Sequence, residues 1–141
     1  MRCAGLLQAL GVTDRSGAQG VIEVYPQASL RRWGLVDASG KAGGKSYKAD
    51  AEARQHILDA LKLQAPWLRC SSEQQDLLVA SDHLLDALIS ALTGLAAARG
   101  LVDPIPLEMQ DLARVEGWII RPLGDALTEG LAPRQSQEST N

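Results

Sequence analysis

One segment narrows the choice of fold more than any other: Val21-Ile22-Glu23-Val24-Tyr25, an apolar run broken by a single acid and stopped by Pro26. β-Branched and aromatic residues favour a strand, and apolar residues at both parities read as a strand covered on both faces. An unpaired carboxylate in such a strand costs several kcal/mol to bury. Glu23 therefore needs a position at the strand end, a cation beside it, or a metal ion. Arg31, Arg32 and Lys48 are the cations weighed as its partner.

The 141 residues suffice for one domain with a real core. Phe is absent and aromatic residues make up only 4% of the chain, so the core must come from Leu, Ala, Val and Ile, which favours helices. A formal net charge of −3 supplies no global basic field for non-specific binding to nucleic acid. It leaves open a local site where a metal offsets the acids. Cys3 and Cys70 are isolated thiols without a CxxC motif, which suits free cysteines in a reducing cytoplasm. No apolar run reaches the ~18 residues of a membrane span. The apolar part of residues 1–10 is too short for a signal peptide and reads as the last turns of a helix closed by Gly11.

Along the chain, residues 13–20 form a polar turn into the strand at 21–25, and 27–33 fit a short helix closed by Gly34. Residues 36–49, with three glycines, read as a flexible basic loop ending in Ser46-Tyr47-Lys48. Asp50 is an N-cap for a helix to about Leu63, with Ile57, Leu58 and Leu61 on its apolar side. A further helical stretch starts at Ser71, and the strongest helix runs from Asp82 to about Arg99. An amphipathic helix near 107–115 and a short strand at 117–120 follow. Residues 1–122 are expected to form the domain and residues 123–141 a flexible polar tail.

On a helical wheel, Leu84, Leu85, Leu88, Ile89, Ala91, Leu92, Leu95 and Ala96 cover one broad face of the 82–99 helix. His83, Asp86, Ser90, Thr93 and Ala97 form a narrow opposite stripe. Its small polar residues leave room for another element to approach closely. Asp82 reads most simply as the N-cap. Asp86 is either a first-turn acid favoured by the helix dipole or, with His83 three residues before it, a metal ligand. His83 alone reads more often as an ordinary partly exposed histidine.

Four segments occur in order: Val21-Ile22-Glu23-Val24-Tyr25-Pro26, Ser46-Tyr47-Lys48, the helix from Asp82-His83 through Asp86-Ala87 to Leu92, and Glu116-Gly117-Trp118-Ile119. Over residues 5–122 this series resembles the C-terminal portion of the DUF429 family, predicted nucleases of the ribonuclease H-like fold. His83-x-x-Asp86-Ala87 is also similar to the final motif of RuvC-type junction resolvases. The resemblance implies an α/β, ribonuclease H-like domain, mostly helical with one or two strands, that hydrolyses phosphodiester bonds in DNA or RNA. It implies Glu23 and Asp86 as catalytic carboxylates, holding Mg²⁺ or Mn²⁺ together with His83, and Tyr47, Lys48 and Arg54 lining the substrate cleft. Family members begin with strands that carry a further Asp, and this chain has no such segment before Glu23. The expectation is an N-terminally truncated, impaired member. The alternative is a non-catalytic fragment that serves as an interaction or scaffolding domain and self-associates through the open edge of the Glu23 strand.

Overall fold

The computed structural model describes residues 2–133, with side chains from residue 5 onward. The elements in chain order are α1 (Arg2–Ala9), β1 (Glu23–Val24), α2 (Pro26–Arg32), β2 (Lys41–Ala42), β3 (Lys45–Ser46), α3 (Ala51–Gln64), α4 (Ser72–Ala80), α5 (Asp82–Ala98), α6 (Gln110–Glu116) and β4 (Ile119–Ile120). A 3₁₀ turn at Leu107–Met109 leads into α6, and a π-helical turn spans Ala126–Gly130. The molecule is mixed α/β, dominated by helix, with short strands. Among the described residues no single helix is long and apolar enough to cross a membrane.

β1 and β4 pair in parallel, Glu23 opposite Ile119 and Val24 opposite Ile120, and the crossover between them carries α2 to α6. Parallel neighbours need such a long connection, and here helices fill it. β2 and β3 form an antiparallel hairpin turning on Gly43 and Gly44, both at positive φ (57° and 77°). That is the geometry of a two-residue turn, which a residue with a Cβ adopts only under strain.

The helices start where the sequence supplies caps. The Asp50 side chain accepts from the Glu52 and Ala53 amides, opening α3, whose buried side holds Ala53, Arg54, Ile57, Leu58 and Leu61. Ser71 and Gln74 form a reciprocal capping box on α4. Ser81 closes α4 and caps α5, its Oγ accepting from the Leu84 amide. The α5 cap is therefore Ser81, and Asp82 is the first helical residue, free to use its carboxylate elsewhere.

The core gathers Leu30, Trp33, Tyr47, Ile57, Leu61, Leu85, Ile89, Leu92, Leu127 and Leu131. Leu and Ile dominate it, as a chain without Phe requires. On α5 the buried stripe is narrower than the wheel implied and turned towards the polar side. Leu85, Ile89, Leu92, Thr93 and Ala96 are buried, while Leu84 and Leu95 are exposed. The reason is α2, which packs across the small-residue stripe. The Thr93 hydroxyl lies 2.8 Å from Ser29 Oγ and 2.9 Å from the Ile89 carbonyl, so both buried hydroxyls are satisfied.

Three expectations need correction. The strand is two residues long, not five, and its residues are only half-buried, because β4 is its one neighbour among the described residues. The glycine-rich segment 36–49 is not a free loop: Val36, Ala42 and Tyr47 are buried in the core around the β2–β3 hairpin. Residues 123–133 are not a solvated tail. Ala126, Leu127 and Leu131 are buried, and the indoles of Trp33 and Trp67 donate to the carbonyls of Leu123 and Leu127. Residues 134–141, the remainder of the expected tail, lie outside the described residues.

Candidate acidic site

Asp86 sits one turn into α5 and faces the segment that follows β3. The Tyr47 hydroxyl donates to Asp86 Oδ1 at 3.0 Å, and the Lys48 ammonium donates to Asp86 Oδ2. Lys48 Nζ also lies 3.7 Å from Asp82 Oδ2, one helical turn earlier, and 5.1 Å from the centre of the Tyr47 ring. Two carboxylates at i and i+4 thus share one ammonium. Tyr47 is fully buried, whereas the Lys48 side chain remains 46% exposed, so solvent reaches the cluster from the lysine side.

The electrostatics follow from that arrangement. Burial, reinforced by the negative charge of Asp86, pushes the Tyr47 phenol up to about 12, so it remains a proton donor at neutral pH. Burial pulls the Lys48 ammonium down, but its contacts with Asp86 and Tyr47 together outweigh this and the net shift is upward. The cluster therefore holds two carboxylates, one charged amine and one neutral phenol.

Arg54 is buried, 8% exposed, and does not line an open cleft. Its guanidinium donates to three backbone carbonyls: Tyr47 (2.7 Å), Val79 (2.6 Å) and Ala80 (3.5 Å). Three of its five N–H donors are spent on those carbonyls, so in this structure Arg54 serves the backbone. His83 is exposed on the outer side of α5.

Glu23 occupies a separate setting. Its Oε1 accepts from Arg15 Nη2 at 2.6 Å, and both side chains are more than a third exposed. The two ends of the turn before the strand, residues 15 and 23, are brought together by glycines 17 and 20, both at positive φ. None of the weighed cations, Arg31, Arg32 or Lys48, is the partner. Gly117 covers the pair: at φ +96°, a Cβ there would run into the Glu23 carboxylate and crowd Arg15 Nη2. The glycine of the Glu116-Gly117-Trp118-Ile119 segment is thus explained by Glu23. Tyr47, Lys48, Asp82 and Asp86 come together, and Glu23 makes no hydrogen bond or ion pair with any of them. Its nearest link to them is through the fold, since α5 packs against β1.

Sequence reasoning missed Arg15, the role of Gly117 and the second role of Asp82. The i, i+4 spacing of Asp82 and Asp86 was visible and could have flagged their shared cation. Nothing local pointed from Glu23 to Arg15.

A family model described as "Protein of unknown function (DUF429)" matches residues 1–111. The chain belongs to the DUF429 family. No curated protein and no solved structure matches it. The DUF429 match contains Glu23, Tyr47, Lys48, Arg54, His83 and Asp86, and stops before Gly117 and β4.

The carboxylates are hard oxygen donors of the class that Mg²⁺ and Mn²⁺ prefer. As they stand they do not form a cage. Asp86 and Asp82 share the single charge of Lys48, and Glu23 pairs with Arg15, so an ion would have to displace both resident cations.

Proposed function

We propose that this DUF429 chain is a nuclease-type domain of the ribonuclease H-like superfamily, hydrolysing phosphodiester bonds in DNA or RNA, with Asp86 as its principal acid and Glu23 as the second. One observation carries this reading. Two motif segments about forty residues apart, 46–48 and 82–86, meet in a single half-exposed cluster of acid, amine and phenol. The parallel pairing of β1 with β4 across a helical crossover, and the packing of α5 on β1, suit an α/β fold of that superfamily.

The residues divide the work as follows. Lys48 is the accessible cation, and a phosphodiester anion competes with Asp86 for it. When Lys48 turns to the phosphate, one Asp86 oxygen is released beside the bound ester. Tyr47 continues to donate to the other oxygen and holds the carboxylate in orientation. A carboxylate so placed can accept the proton of an attacking water. Mg²⁺ or Mn²⁺ dependence belongs to the same proposal as an outcome of assay, with Glu23, Asp86 and His83 as the candidate ligands. A reducing, cytoplasmic setting also belongs to it, and the free thiol of Cys70 agrees with that.

The test is cleavage of end-labelled single- and double-stranded DNA and RNA in Mg²⁺, in Mn²⁺ and in chelator. Cleavage by the native chain that falls at least ~100-fold in Asp86→Asn supports the reading, the scale expected for loss of a general base. Cleavage that survives both Asp86→Asn and Glu23→Gln sinks it, as does the absence of cleavage under every condition.

A second reading, a non-catalytic interaction domain, is favoured by β1. Among the described residues β1 pairs along one edge only, and Leu6, Leu7, Val21 and Ile22 line a groove beside it. An open edge is a template for another strand, and the occupant proposed is the same edge of a second copy. Sedimentation of the native chain as a concentration-dependent dimer, lost in Val24→Pro, supports it. A monomer at all concentrations rules it out.

A further inference from the structure

We propose that Arg54 is a positioning residue that assembles the Asp86 cluster, by clamping the Tyr47–Lys48 segment to the break between α4 and α5. The inference deepens the functional reading above and rests on Asp86 being its working acid.

The argument starts from the break. α4 and α5 are separated by Ser81 alone, and their axes meet at 112°. In an unbroken helix the Val79 and Ala80 carbonyls would accept from the amides of residues 83 and 84. Here the Leu84 amide turns to Ser81 Oγ, and the carbonyls of Val79 and Ala80 are left at the negative end of α4. The Arg54 guanidinium takes both. Its remaining strong bond goes to the Tyr47 carbonyl, on the other side of the cluster. One planar, permanently charged fork thus ties the backbone that carries Tyr47 and Lys48 to the backbone from which α5 departs. α4 has no buried residue of its own, and these bonds add to its packing on α3 in holding its end against the body. No carboxylate faces Arg54 within ion-pair distance among the described residues, so its charge serves the carbonyls.

The distance between Asp86 and its two donors follows from that clamp. Without it, the α4–α5 junction is free to relax towards a straighter helix, and Asp86 turns away from Tyr47. A lysine in place of Arg54 is a point donor that can satisfy one segment at a time, so it restores part of the geometry.

The contact between Tyr47 and Asp86 reports the outcome without any reference to catalysis. In a double-mutant cycle the stability cost of Tyr47→Phe, read by urea denaturation, is compared in the wild-type, Arg54→Lys and Arg54→Met backgrounds. Arg54→Met is expected to abolish most of that cost, with helical circular dichroism retained, because the phenol no longer meets Asp86. Arg54→Lys is expected to keep an intermediate share of it. Leu61→Ala, which loosens the same helix without touching the clamp, is expected to leave the full cost in place. An undiminished Tyr47→Phe cost in Arg54→Met or Arg54→Lys overturns the proposal, and so does an equal reduction in Leu61→Ala. If Arg54→Met fails to fold, Arg54→Lys decides alone, by the same criterion. The nuclease assay is read separately: a chain that cleaves nothing removes the functional reading and leaves the clamp standing or falling on the double-mutant cycle.

Discussion

Asp86 and Glu23 are two acids in one small domain, and their surroundings differ in kind. Asp86 is mostly covered and uses both oxygens, one for a buried phenol and one for a lysine that also serves Asp82. Glu23 is more than a third exposed and has one arginine, also exposed, beneath a glycine that leaves space for them. The first setting orders a carboxylate and keeps a half-exposed positive charge at its open side. The second is a surface ion pair, of the kind that contributes up to about 1 kcal/mol. The difference teaches that an acid flagged by its strand position need not be the more constrained one.

The sharpest way to break this contrast is to neutralise each acid in turn. Asp86→Asn is expected to reduce phosphodiester cleavage at least ~100-fold, and Glu23→Gln to reduce it less. A larger loss for Glu23→Gln, in the same cleavage assay, would invert the ranking.

The next largest effect is on stability at high pH. The Tyr47 phenol ionises at 10.0 when unfolded and at about 12 when folded, so only the unfolded state loses that proton in between. Stability from this group is complete below pH 10 and falls as pH rises through about 12, by roughly 2–3 kcal/mol in all. Lys48, also shifted upward, acts with the same sign. Urea denaturation across this window should show the decline in wild type and a shallower one in Tyr47→Phe.

Tyr47→Phe at neutral pH deprives Asp86 of a donor, an expected cost of about 1–2 kcal/mol in chemical denaturation. Gly117→Ala places a methyl against the Glu23 carboxylate at a positive φ, and should cost about 1–2 kcal/mol. Arg15→Ala is the smallest change, under ~1 kcal/mol by thermal melting. If Arg15→Ala destabilises as much as Tyr47→Phe, the Glu23 pair is more than a surface contact.

Much of the helical framework was legible because caps and breakers are local. Asp50, Ser71, Gly11 and Gly100 mark helix ends through hydrogen bonds and backbone angles involving residues within one turn of them. The wheel on α5 found the small-residue stripe and its closeness to another element, and α2 indeed packs there. What it could not assign was which of two apolar faces is covered. Leu84 and Leu95 are as hydrophobic as Leu85 and Leu92, and only the placement of α2 and the rest of the core separates them. The residues after 122 were misread for a related reason: three spaced apolar side chains, Ala126, Leu127 and Leu131, make a weak periodic signal yet dock fully on the core.

The sequence by itself determined, to within a residue or two, where α3, α4 and α5 begin and end, and which segment carries the Glu23 strand. Those features depend on local backbone preference, or on motifs that survive as short strings. Only the tertiary structure decided the partners of the charges: Arg15 for Glu23, Lys48 for both Asp82 and Asp86, and three carbonyls for Arg54. An ion pair or a guanidinium clamp is set by distances of a few ångströms between segments, in one case nearly forty residues apart. No local propensity encodes that distance until the helices have packed.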